Sequence, residues 1–232
     1  MELYRIFLER ISAFEVAELD LGKSYFRGRA SLADKIDGDG RLKPFFGDTV
    51  VFDLDDAVKN RVSALIDSLY SAAGDCLAER LCDATLHMTL HDLSNGTKLD
   101  EVRGKMAENE EKIRSTSLPS RTIKMKSTFI FNMVNTSLVL GLVPADEGEH
   151  MKLAELYDIF DGILGAQYPL TPHITLAYFT TSGFGEVEKS RLEAAVNEIN
   201  RDSQFEIILD TKKLHYQHFF SMNDYRNVIN FE

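Results

Sequence analysis

The sequence predicts an α+β fold with a duplicated, two-lobed plan: two antiparallel sheets facing a central cleft, with helices on the outside. Three observations carry this reading. A short pattern occurs twice, as Leu86-His87-Met88-Thr89-Leu90 and Pro172-His173-Ile174-Thr175-Leu176, 86 positions apart (173 − 87). Each copy alternates polar and apolar residues as a half-buried strand does. Each also follows a strand and then a helix, so strand–helix–His-strand recurs at a spacing too long for a solenoid repeat. No Pro/Ser-rich linker separates the copies, and the lobes are expected to fold together.

In chain order, Leu3, Ile6, Phe7, Ile11 and Phe14 recur near helical spacing and predict an amphipathic N-terminal helix. Asp37-Gly38-Asp39-Gly40 marks a loop, and the absence of a Glu at its twelfth place argues for a solvated turn over a calcium site. Thr49–Phe52 reads as a strand. Asp55 or Asp56 then caps a helix carrying Val58, Val62, Leu65, Ile66 and Leu69, which closes near Gly74. The first His strand follows, with a turn at Ser94-Asn95-Gly96, and then a charged helix near 98–114 whose Glu and Lys side chains form a solvated face. In the second half, Ile123, Met125, Phe129 and Phe131 predict a strand that Asn135-Thr136 turns back into Leu138–Leu142. A helix with Leu153, Leu156, Tyr157, Phe160 and Leu164 stops at Gly165, ahead of the second His strand. A helix with Leu192, Val196 and Ile199, a strand Phe205–Leu209 and an alternating segment from Leu214 to Phe220 complete the plan.

Within the first His strand, Thr85, His87, Thr89 and His91 share one face; in the second, His173, Thr175 and Ala177 do. Side chains two apart on a strand point the same way, so each strand buries an aliphatic face and offers an imidazole beside a hydroxyl. Two such strands facing each other would make a small cleft with two His and two Thr, suited to a phosphate group. An imidazole with its ordinary pKa near 6.5 gives or takes a proton at neutral pH, and hydroxyls are neutral donors to a phosphate oxygen. His87 and His91 are four apart, which on a strand is about 13 Å, too far to share a metal ion. No Walker loop, dinucleotide fingerprint or Gly-x-Ser-x-Gly elbow is present. Cofactor: none is expected.

Composition narrows the partners. The 232 residues are 44% hydrophobic and 27% charged, ordinary for a globular chain, and no apolar run approaches a membrane span of about 20 residues. The formal charge of −11 repels long duplex nucleic acid but leaves room for a small nucleotide or short RNA end in a local pocket. Cys76 and Cys82 read as buried thiols of a reducing compartment, and with no leader pattern at the N-terminus the expected location is cytoplasmic.

The paired motifs His87-Met88-Thr89-Leu90 and His173-Ile174-Thr175-Leu176 resemble the signature of the two-histidine (2H) phosphoesterase superfamily, with its LigT-like members. Pro172 and Tyr178 fit that run as well. The resemblance covers roughly residues 44–231 and divides the chain into an N-terminal helical extension and loop, 1–43, and a two-lobed domain, 44–232. It implies a metal-independent phosphodiesterase acting on a cyclic phosphate or 2′-5′ linkage of a small nucleotide or RNA end. His87 and His173 would be the acid–base pair, with Thr89 and Thr175 donating to phosphate oxygens. The rival reading is a non-catalytic nucleotide-binding module on the same fold.

Three further substrate-binding candidates are His91, Tyr178 and Tyr216. His91 either lines the cleft edge or ends its strand at the surface. Tyr178 is core by periodicity and interesting by resemblance. Tyr216, between His215 and His218, either stacks a base or packs a hairpin. Arg121, Lys124 and Lys126 either draw an anion or protect a strand edge, and His150 reads as a surface residue.

Overall fold

The structure is a computed structural model that describes residues 2–15, 19, 21, 22, 24–165 and 169–231. Its elements in chain order are α1 (Tyr4–Ser12), β1 (Tyr25–Phe26), α2 (Leu32–Lys35), β2 (Phe46–Asp53), α3 (Asp56–Ala73), β3 (His87–Gly96), α4 (Leu99–Arg114), β4 (Thr122–Met133) and β5 (Ser137–Pro144). There follow α5 (Glu147–Leu164), β6 (His173–Tyr178), β7 (Phe184–Gly185), α6 (Glu186–Asn200), β8 (Glu206–Asp210), β9 (Leu214–Ser221) and β10 (Asp224–Asn230). The fold is α+β with antiparallel pairing throughout.

The eight long strands run in the order β10-β9-β2-β3-β6-β5-β4-β8. This sheet has two four-stranded halves that meet between the His strands, where Met88 pairs with Ile174. Each half holds a strand–helix–His-strand–helix run, β2-α3-β3-α4 and β5-α5-β6-α6. The helices pack across the duplication, α3 on α6 and α4 on α5. The short strands β1 and β7 pair separately, Tyr25 with Gly185 and Phe26 with Phe184.

Local sequence explains the elements. On α3, Val62, Ile66, Leu69 and Ala73 are buried at i, i+4, i+7 spacing. Asp55 holds the N-cap position as expected, but its carboxylate bonds Lys213 instead of capping the helix. Asp146 does cap α5, accepting from the Glu149 N–H at 3.0 Å. Between β4 and β5, Val134 and Asn135 both have positive φ and Thr136 N bonds Met133 O, a primed turn that suits hairpin twist. Gly165 ends α5 at φ +70°. Strand β5 is apolar over Leu138–Leu142 because it is covered on both faces; burying each leucine contributes about 1.5–3 kcal/mol.

Several expectations change. β3 continues through Gly96, pairing with Phe46, rather than turning at Ser94. On α4 the Glu and Lys side chains form the largely exposed face expected of them, while Val102, Met106, Asn109 and Ile113 are buried on the other side. Cys76 is buried but Cys82 is exposed. His150 is buried as well, 5.0 Å from the Phe7 ring beneath α1, because α1 covers the start of α5. The segment before residue 44 joins the main core through Phe26, Leu32 and Ile36, each about 1% exposed. Among the described residues, no helix is long and apolar enough to cross a membrane.

Candidate functional site

The pairing of Met88 with Ile174 sets the register of everything around it. In an antiparallel pair, stepping one residue each way places His87 opposite Thr175 and Thr89 opposite His173. The four side chains therefore share one face of the sheet. Directly opposite residues approach to about 4.5–5.5 Å between Cβ atoms, and the two histidines are diagonal neighbours at about 7–8 Å. All four line a cleft of about 330 Å³ at the junction of the halves.

The two histidines are held alike. His87 Nδ1 lies 2.7 Å from the carbonyl oxygen of Thr85, and His173 Nδ1 lies 2.7 Å from that of Thr171, in each case two residues upstream. A carbonyl only accepts, so each Nδ1 carries the proton and donates it. Nε2 is left as the ring nitrogen open to chemistry in the cleft. Both rings are half-buried. Burial, with a smaller push from the neighbouring His173, brings the His87 pKa down to about 4 against the opposing pull of the Thr85 carbonyl. Burial likewise lowers that of His173. Both imidazoles are thus neutral at neutral pH, an arrangement in which either can accept a proton.

Neighbouring strands fix the backbone on either side of the rings. Asp53 pairs with His87 across β2 and β3 and is itself bonded by Lys59 at 2.6 Å. The Tyr225 ring meets His87 edge-on at 5.0 Å. On the other side, Gly141 of β5 pairs with His173.

Each His strand carries a β-bulge at the same motif position. Val50 pairs with His91 but Val51 with Thr89, so Leu90 is the extra residue. Leu138 pairs with Ala177 but Val139 with Thr175, so Leu176 is its counterpart. A bulge reverses the in/out alternation of the residues beyond it. This corrects two expectations from strict alternation. His91 does not share the cleft face with His87. It is 3% exposed under α5, stacked on the Tyr157 ring at 4.2 Å, with Nε2 donating to the Tyr157 carbonyl at 3.1 Å. Tyr178 is returned to the cleft face, where its hydroxyl bonds Met222 Sδ at 3.1 Å. Asp92, the residue equivalent to Tyr178 in the first strand, also lines the cleft.

Tyr216 is not in the cleft. Its ring is fully buried, and its hydroxyl lies 2.8 Å from Asp48 Oδ2 and 3.0 Å from the Met106 carbonyl. There it helps to satisfy a buried carboxylate that also accepts from Ser94 N and Asn109 Nδ2. Arg121, Lys124 and Lys126 lie away from the cleft as well, on β4 or at its start, which is flanked by β8 and so is not an edge. Arg121 is paired with Glu155. Sequence reasoning missed Lys35, Asp92, Phe219, Met222 and Tyr225, all of which line the cleft. Only the bulge would have revealed Asp92, and the rest belong to segments with no motif.

Comparison with known proteins gives the fold. No protein-family model matches the chain, and no curated protein matches it in sequence. A conserved protein of unknown function from Agrobacterium tumefaciens strain C58 is similar in structure, with TM-score 0.72 and 16% identity over 95% of this chain and 99% of that one. Escherichia coli LigT complexed with phosphate has TM-score 0.44 and 12% identity over 81% of this chain and 96% of its own. Kluyveromyces marxianus Usb1 has TM-score 0.39 and 12% identity over 80% and 99%. The chain therefore has, over nearly its whole length, the fold of the Agrobacterium protein.

Proposed function

We propose that this protein is a two-histidine phosphoesterase that hydrolyses a phosphodiester, a cyclic phosphate or 2′-5′ linkage, in a small nucleotide or RNA end. The observation that carries the reading is the symmetric quartet: two imidazoles with the same backbone-held tautomer, each facing a threonine across one strand pair.

In the proposed step, a phosphodiester sits over the quartet with its non-bridging oxygens accepting from the Thr89 and Thr175 hydroxyls. One Nε2 takes a proton from water as the water oxygen bonds to phosphorus. The other imidazole, protonated, gives its Nε2 proton to the leaving oxygen as the P–O bond breaks. The proton has then moved from one ring to the other, and exchange with solvent restores the starting state. An anionic phosphate beside two half-buried, neutral rings favours protonation of one of them, which supplies the acid. The hydroxyls become more valuable as charge builds on the oxygens towards the transition state. The step needs no metal ion, and chelators are expected to leave it unchanged.

The test is hydrolysis of 2′,3′-cyclic nucleotides and 2′-5′ oligoadenylate by wild type, His87→Ala and His173→Ala. Each substitution is expected to lower kcat about 10²–10⁴-fold. Equal activity in all three proteins removes these residues from the mechanism.

A further inference from the structure

We propose that Lys35 forms a second anion subsite, so that the preferred substrate carries another phosphate besides the one that reacts. This rests on the functional reading above and names its substrate class more closely. Lys35 is the one Lys or Arg lining the cleft among the described residues, in a chain whose formal charge is −11. Its ammonium lies 5.4 Å from the centroid of the Tyr178 ring and 5.0 Å from that of Phe45. No hydrogen bond or carboxylate partner within 4.0 Å is found for it among the described residues, whereas Lys59, Arg80, Arg121 and Arg191 are all paired. The Asp92 carboxylate of the same cleft acts on it only from beyond 4.0 Å, so the cation over two aromatic faces keeps its hydrogen-bond donors free.

The position is built. Leu32 and Ile36 on either side are each 1% exposed in the main core. The Lys35 carbonyl accepts from Lys43 N at 2.8 Å, and Arg29 N bonds Asn135 O at 2.9 Å, tying the segment to the β4–β5 turn. The bulge at Leu176 matters again, because it turns Tyr178 toward the cleft and so provides the surface beneath the ammonium. Tyr178 is three residues beyond Thr175, at most about 10 Å of strand, and the Lys35 ammonium sits over its ring rather than beside the quartet. That displacement from the quartet suits a second anionic group on the same ligand.

A nucleoside 2′,3′-cyclic phosphate can be compared with the same compound bearing a 5′-phosphate. In wild type the 5′-phosphorylated compound is expected to have about tenfold higher kcat/KM, expressed in KM and weakened by salt. Lys35→Gln is expected to bring the ratio close to one, and Lys35→Arg to keep it. A wild-type ratio near one, or an unchanged ratio in Lys35→Gln, overturns the subsite. Should neither compound be cleaved, the phosphodiesterase reading fails. Calorimetric affinities for a nucleoside 3′,5′-bisphosphate and a 3′-monophosphate then test Lys35 independently, and a bisphosphate preference that is absent, or that survives in Lys35→Gln, overturns it.

Discussion

Met88 pairs with Ile174, and through this pairing the two halves of the sheet meet at the base of the cleft. Both side chains are fully buried, so the joint is made by apolar packing on one face while the quartet occupies the other. Truncating Ile174→Ala is expected to cost about 2–5 kcal/mol of stability. Because the site is assembled across this joint, activity is expected to fall even where the variant remains folded. Denaturant unfolding together with kcat on the folded fraction checks both parts.

The hydroxyls are expected to act on the transition state. Thr89→Val and Thr175→Val keep the strand-forming shape and remove one donor each. By analogy with the loss of one oxyanion donor, each is expected to lower kcat about 10²–10³-fold with a smaller change in KM. A change confined to KM contradicts that role.

The pH profile follows from the lowered histidine pKa values. Burial moves both His87 and His173 below the ordinary 6.5, His87 to about 4. The active form holds one proton between the two rings, so kcat/KM is bell-shaped with its maximum between two macroscopic values that both lie below 6.5. A maximum above pH 7 contradicts this. The same shifts bear on stability. Between pH 6.5 and about 4 the unfolded chain binds the proton that folded His87 refuses, so this contribution is complete above 6.5 and is lost as the pH falls toward 4. Comparing unfolding of wild type and His87→Ala across that window is expected to show the steeper acid loss in wild type.

His91 separates packing from chemistry. Its ring stacks on Tyr157 and donates to that residue's carbonyl away from the cleft. His91→Phe is expected to lose about 0.5–1.5 kcal/mol of stability, since it removes this buried hydrogen bond while keeping an aromatic ring on Tyr157, and kcat stays near wild type.

Much of the plan was legible in sequence. Alternation marked both His strands, helical spacing marked α3 and α5, and the repeat of one motif at a long interval implied two lobes. The errors arose where alternation stops being a guide. A bulge at Leu90 and another at Leu176 have no local signature, since leucine suits a regular strand equally well, and each reverses the faces beyond it. Hence His91 and Tyr178 exchanged the places that periodicity gave them, and Asp92 went unnoticed. Tyr216 failed as a candidate for another reason: its polar tip serves the buried carboxylate of Asp48, a long-range pairing that no window of sequence contains. Lys35 and Tyr225 reach the cleft from segments far from either motif.

The most direct measurement is a crystal structure with inorganic phosphate or vanadate bound. One anion is expected over the Met88–Ile174 joint, with oxygens within about 3.2 Å of Nε2 of both His87 and His173 and accepting from the Thr89 and Thr175 hydroxyls. An anion held by only one imidazole, or bound elsewhere while the quartet stays free, contradicts the proposal that the two rings act on a single phosphorus.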